Sequence, residues 1–190
     1  MQLRLFVAID LPETIRDDLA EIMLGVPGAR WVDDDNLHVT LRFVGEVDGH
    51  AFEDVADALS TLRKPGFQLA LTGTGHFPPR GQPTVLWAGV SPEPGLLALR
   101  GAVDRAVIRA GIEPEHRKYM PHVTLARLNG SPPGKVAQFL AHHSLFQTEP
   151  FQVDTFHLYS SVLRASGAEH TLEVSYPLLP PDPTPASGPE

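Results

Sequence analysis

Apolar and polar residues alternate near the N-terminus of this chain. Leu3, Leu5, Val7 and Ile9 point one way, and Arg4, Phe6 and Ala8 the other. A period of two is the mark of a half-buried strand. The period then changes. Ile15, Leu19, Ile22 and Met23 recur at helical spacing, Pro12 suits the first turn, and Gly25, Pro27 and Gly28 end the helix. Alternation returns in LHVTLRF, residues 37–43. A second helical stripe follows through Phe52, Val55, Ala56, Leu59 and Leu62, closed by Pro65 and Gly66. Further strands are predicted at 67–72 and 85–90, on either side of a loop punctuated by Pro78, Pro79, Gly81 and Pro83.

The order then repeats. Leu96, Leu99, Val103, Ala106 and Ala110 predict a helix capped by Gly111. HVTLA (122–126) predicts a strand, Val136, Phe139 and Leu140 a short helix, and 151–159 another strand. Individual residues repeat as well. His38-Val39-Thr40-Leu41 recurs 84 residues later as His122-Val123-Thr124-Leu125. At the same interval Phe67-Gln68 recurs as Phe151-Gln152, and Ser60 as Ser144. Pro12-Glu13 recurs as Pro92-Glu93 after 80, as if four residues were added in the second half before its HVTL.

A unit of strand–helix–strand–helix–strand is too long for a solenoid repeat. The expected fold is therefore α+β and bilobal. Two pseudo-symmetric lobes each carry an antiparallel sheet with helices on the outer face, and the site lies in the groove between them. One domain is expected over 1–178, from half-repeats of roughly 1–84 and 85–178. The remaining 179–190 is proline-rich, without periodicity, and expected to be disordered.

Composition narrows the chemistry. Fifteen Lys and Arg against 23 Asp and Glu give a net charge of −8 over 190 residues. That balance excludes a surface built to coat a long duplex but leaves room for a small basic pocket. There is no cysteine, which excludes disulfides, Cys-ligated zinc and a thiol nucleophile. The N-terminal apolar run is interrupted by Arg4 and ended by Asp10, with no small-residue cleavage site after it. It reads as a strand rather than a signal peptide. No run of about 18 apolar residues occurs, so neither a transmembrane helix nor a membrane partner is expected, and the expected location is cytoplasmic.

The duplicated motif carries the candidate chemistry. Along a strand, Val39 and Leu41 face the core while His38, Thr40 and Arg42 share the other face. In the second copy His122 and Thr124 do the same. A single His-x-Thr is a weak pattern, because threonine is common in strands and an outward histidine is usually just polar. Two copies at matched positions are another matter. They bring two imidazoles and two hydroxyls to one cleft, and that set suits in-line displacement at phosphorus. One histidine acts as base on the attacking oxygen, the other as acid on the leaving oxygen, and the hydroxyls donate to the non-bridging oxygens.

Four stretches carry a resemblance to a known family: RLFVAIDLPE, LHVTLRFVGEV, GHFPPRGQPTVLWAGV and RKYMPHVTLARL. Together they are similar to the RNA 2′,3′-cyclic phosphodiesterases, also called 2′-5′ RNA ligases, of the two-histidine phosphoesterase superfamily. The likeness runs to about Leu178. It implies a bilobal α+β fold and hydrolysis of RNA 2′,3′-cyclic phosphate ends to 2′-phosphate ends without metal or cofactor. It also implies that the reverse joining through a 2′-5′ linkage is accessible in vitro. By position, it implies His38 as proton donor to the leaving 3′ oxygen, His122 as base on water, and Thr40 and Thr124 as phosphate holders. The basic residue common after the second motif is matched by Arg127. Met120 and His170 depart from the pattern, standing where Arg and Tyr are typical. Arg42, in phase with His38, and Arg127 are expected to contact substrate, although strict alternation buries Arg127 unless the strand bulges near Ala126.

Other groups are read as structural. Phe6 and Tyr119 are expected to pack rather than stack on a base. Asp33, Asp34 and Asp35 are read as a solvated turn or capping cluster, Arg117 and Lys118 as either a solvated loop or an RNA-attracting pair, and His142-His143 as a polar helix end. No P-loop and no G-x-S-x-G occurs. The competing readings are a metallohydrolase built on His38, His122 and a carboxylate, and a non-catalytic binder of phosphorylated RNA ends. The partner expected under the leading reading is an RNA end carrying a 2′,3′-cyclic phosphate, bound by a monomer.

Overall fold

The computed structural model describes residues 2–181 and 183. Along the chain run β1 (Leu3–Asp10), α1 (Glu13–Ile22), β2 (Ala29–Trp31), a turn of 3-10 helix (Asp34–Asn36) and β3 (His38–Val47). Next come α2 (Gly49–Ser60), β4 (Phe67–Leu69), β5 (Leu71–Phe77), β6 (Val85–Val90), α3 (Pro94–Arg109) and β7 (His122–Leu128). The last elements are α4 (Pro133–His142), β8 (Phe151–Val153), β9 (Thr155–Arg164) and β10 (Gly167–Pro177). Among the described residues no helix is long and apolar enough to cross a membrane.

The α+β, two-lobed architecture expected from the sequence is the one found. Its sheets are two halves of one antiparallel run, in the order β10-β9-β1-β3-β7-β6-β5, with β2 also on β7. The halves meet where β3 lies against β7 through the single register pair Val39–Val123. A second, two-stranded sheet joins β4 to β8, with Gln68 opposite Gln152. Both junctions set a residue against its own repeat 84 positions on. An antiparallel pairing of equivalent residues is a local two-fold axis, so the duplication is expressed as two-fold symmetry of the fold.

The repeats exchange strands. β9, from the end of the chain, pairs with β1 and carries β10 on its outer edge, while β5 from the first half flanks β6. Neither lobe is a continuous stretch of sequence. The register also places β1 against β3 as β6 against β7 at an interval of 79, since Asp10 opposes His38 and Gly89 opposes His122. That is one less than the Pro-Glu match.

One face of this sheet is sealed by the helices. Ile15, Leu19 and Ile22 of α1, Val55 and Leu59 of α2, and Leu96, Leu99, Val103, Ala106 and Val107 of α3 share one core with Val39, Leu41, Val123 and Leu125. Val136 and Phe139 of α4 join it. Each fully buried Leu or Val contributes on the order of 2 kcal/mol of apolar transfer. The motif strands are thereby fixed from behind. Asp48 caps α2 by accepting from the Ala51 N–H at 2.9 Å.

β2 and β10 have no counterpart in the periodicity reading. β10 is an edge strand whose side chains are mostly exposed or half-buried, so it carries no clean alternation. The chain stays tied past 178: the Leu179 N–H donates to Lys64 O at 2.9 Å, and Leu179 O accepts from Gly66 N–H at 2.8 Å. Most of the proline-rich stretch, Asp182 and 184–190, lies outside the described residues.

Candidate active site

The face opposite the helices is a groove of about 520 Å³ whose lining includes His38, Thr40, His122 and Thr124. Antiparallel register around Val39–Val123 sets His38 against Thr124 and Thr40 against His122. The two histidines therefore stand on diagonal corners, each beside a threonine of its own strand and one of the other.

Both imidazoles are oriented in the same way. The Nδ1–H of His38 donates to Asn36 O at 2.6 Å, and that of His122 to Met120 O at 2.7 Å. A carbonyl only accepts, so Nδ1 carries the proton and Nε2 is the reactive nitrogen in each neutral ring. His38 Nε2 lies 3.0 Å from Thr40 Oγ1. Phe6 stacks on His38 with centroids 4.9 Å apart, and His170 meets His38 edge-on at 5.6 Å. Phe77 stands edge-on to His122 at 5.0 Å. Behind Phe77 the indole of Trp87 lies across Gly75, where a Cβ would fall 2.2 Å from the ring.

Burial pushes His38 down to about 4, helped by His170 and opposed by its hydrogen bond to Asn36 and by Asp10. Burial also lowers His122, opposed by its hydrogen bond to Met120. In the free protein at neutral pH, His38 is an uncharged ring.

Both motif strands contain a bulge at the same repeat position. Register steps from Val7–Arg42 to Ala8–Thr40 on one side, and from Leu86–Ala126 to Trp87–Thr124 on the other. Leu41 and Leu125 are the extra residues. Each bulge inverts the alternation beyond it. This answers the question of Arg127, which is exposed and lines the groove. It also overturns the expectation for Arg42, which strict alternation placed beside His38. Arg42 is 6% exposed. Its Nε donates to Asp104 of α3 at 2.6 Å and its Nη2 to Glu113 O at 2.5 Å, with Nη1 on Phe43 O. Phe43, 58% exposed, takes the place on the groove that Arg127 holds in the second half.

Three further arginines, Arg4, Arg30 and Arg164, line the same groove, with Asp33 as its one carboxylate. They come from β1, β2 and β9, so no local motif marks them. Arg4 alone had a signal, since it is in phase with Phe6 on the non-core face. A basic pocket thus sits on a chain of net charge −8.

The remaining groups are packed or paired as follows. Phe6 is 4% exposed and forms the wall behind His38. The Tyr119 hydroxyl donates to Thr40 O at 2.9 Å and its ring lies under Arg100. Asp34 and Asp35 engage Arg16 of α1, and Arg117 pairs with Glu115. Among the described residues no three His, Asp or Glu side chains converge as a metal-binding cluster.

A two-lobed sheet with a histidine and a threonine from each repeat facing a basic groove defines a phosphoesterase of the two-histidine type. The family model described as LigT-like phosphoesterase matches this chain twice, over residues 9–87 and 89–168. The chain belongs to that family. An RNA 2′,3′-cyclic phosphodiesterase of Aeropyrum pernix is 39% identical over 62% of this chain and 65% of its own length. One from Archaeoglobus fulgidus is 32% identical over 87% of this chain and 94% of its own. The crystal structure of Escherichia coli LigT in apo form superposes with a TM-score of 0.77, at 28% identity, covering 94% of this chain and 98% of that one.

Proposed function

We propose that this protein hydrolyses RNA 2′,3′-cyclic phosphate ends to 2′-phosphomonoesters by acid–base catalysis with two histidines and no metal. The observation that carries this is the diagonal placement of two His-x-Thr pairs on the floor of an arginine-lined groove. Relatives named RNA 2′,3′-cyclic phosphodiesterases, and structures of E. coli LigT complexed with 3′-AMP and with phosphate, support the substrate class.

The cyclic phosphate sits between the rings. Water attacks phosphorus opposite O3′ while His122 Nε2 takes its proton. The P–O3′ bond breaks as His38 Nε2 hands its proton to O3′, leaving the phosphate on O2′. The hydroxyls of Thr40 and Thr124 and the guanidinium of Arg127 stabilise charge on the non-bridging oxygens. Exchange with solvent returns the proton to His38. A 5′-hydroxyl attacking phosphorus in place of water, with the same loss of O3′, joins two RNA ends through a 2′-5′ linkage.

His38 must be protonated when it acts. A bound phosphodiester anion next to Nε2 favours the imidazolium and raises its pKa from the free value. The kcat/KM profile, which reports the free enzyme, therefore peaks below pH 6.5, and the kcat profile peaks at higher pH.

The test is incubation of RNA ending in a 2′,3′-cyclic phosphate, with and without EDTA, followed by mapping of the hydroxyl that keeps the phosphate. The expected product is the 2′-phosphate, unaffected by chelation. His38→Ala and His122→Ala should each lower kcat at least about 100-fold. Accumulation of 3′-phosphate would reverse the direction of ring opening, and loss of turnover in EDTA would revive the metallohydrolase. Tight binding with no product would make the protein a reader of RNA ends.

A further inference from the structure

The two-fold relation between the motifs is broken at one position beside the histidines. Asp10 opposes His38 across β1 and β3, whereas Gly89 opposes His122 across β6 and β7. Directly opposed residues of antiparallel strands have their Cβ atoms about 5 Å apart. One imidazole thus has an aspartate opposite it and its twin a glycine.

The carboxylate is held in place. The Tyr159 hydroxyl donates to Asp10 Oδ1 at 2.6 Å, and His157 Nε2 lies 3.3 Å from Oδ2. His157 Nδ1 is in turn 2.9 Å from Ser175 Oγ. Burial and Asp10 both keep the Tyr159 phenol protonated, as a donor must be. In the other lobe the positions matching His157 and Tyr159 are Gly73 and Gly75. Nor can a side chain be added at the twin of Asp10. A Cβ on Gly89 would fall 2.4 Å from the backbone oxygen of Thr72. The asymmetry is built into the backbone.

We propose that Asp10 is the positioning residue that assigns the acid role to His38, its carboxylate favouring a proton on that imidazole over His122. The inference rests on the two-histidine reading of the site. Facing His38 are Asp10 from β1, His170 from β10 and His122 from β7. The two imidazoles oppose a proton on His38, and Asp10 favours one. Arg4, Arg30, Arg127, Arg164 and Asp33 line the same groove.

Asp10→Asn is nearly isosteric and keeps an acceptor for Tyr159. An opposite charge at this range raises an imidazole pKa by about one unit. With RNA 2′,3′-cyclic phosphate as substrate, kcat of the variant should fall about tenfold at pH 8. The deficit should shrink toward nothing as pH falls and His38 becomes protonated in both proteins. A deficit of constant size across the pH range would mean a merely structural effect and would overturn the proposal. NMR titration of the imidazoles with inorganic phosphate present gives a readout that needs no turnover. His38 should titrate about one unit lower in Asp10→Asn, with His122 unmoved. An unmoved His38, or equal shifts in both rings, would overturn it. Absence of cyclic phosphodiesterase activity in the wild-type protein would sink the proposed function while leaving the titration to decide the role of Asp10.

Discussion

His38 and His122 make the same backbone hydrogen bond two residues upstream, to Asn36 and Met120, and so present the same nitrogen to the groove. The arginines after them do not share a fate. Arg42 is committed to Asp104 and Glu113, whereas Arg127 is exposed on the groove. Removing each should therefore give opposite phenotypes. Arg42→Ala leaves Asp104 with Arg100, 3.5 Å away, as its ion-pair partner and takes a donor from Glu113 O, and should cost about 2 kcal/mol in urea unfolding, with kcat of the folded protein little changed. Arg127→Ala should leave stability within about 0.5 kcal/mol and lower kcat/KM about tenfold or more. If Arg42→Ala proved stable and catalytically impaired, the burial assigned to that side chain would be wrong. His38 also couples protonation to folding. Its folded pKa of about 4 lies below its unfolded value of 6.5, so the unfolded chain takes up the proton first as pH falls. Stability is intact above pH 6.5 and should drop by about 2 kcal/mol between pH 7 and 5 from this group. Unfolding of wild type and His38→Gln at both pH values isolates that contribution.

At the scale of elements, periodicity found the motif strands and all four helices because each has one face against the core. It was blind to β10, an edge strand wet on most of its length, and to the three residues of β2. It also could not see the bulges at Leu41 and Leu125. A bulge leaves composition unchanged and shows only in the pairing with β1 and β6. Yet the bulge decides which arginine reaches the groove. The alternation rule is right up to the extra residue and inverted after it.

The whole molecule reconciles an acidic chain with an anionic ligand. Four arginines from β1, β2, β7 and β9 converge on one groove, while the remaining surface carries the negative excess. Under the proposed function, such a pocket has to grip an end and not a strand. The dependence of log KM on log salt for an oligoribonucleotide 2′,3′-cyclic phosphate should have a slope of no more than about 2, the value for two or three phosphate contacts on a single strand. A slope near 6 would mean a long binding track that the groove does not offer.

The sequence by itself determined the duplication, the α+β class and the four catalytic candidates. Those follow from local periodicity and from identical words 84 residues apart. Only the tertiary structure decided that the repeats swap strands, that Arg4, Arg30 and Arg164 share a pocket with Arg127, and that Arg42 does not. It alone set Asp10 beside His38 and left Gly89 beside His122. The reason is physical. Periodicity records which face a residue shows to its own core, whereas register, bulges and strand exchange depend on backbone pairing between segments far apart in the chain.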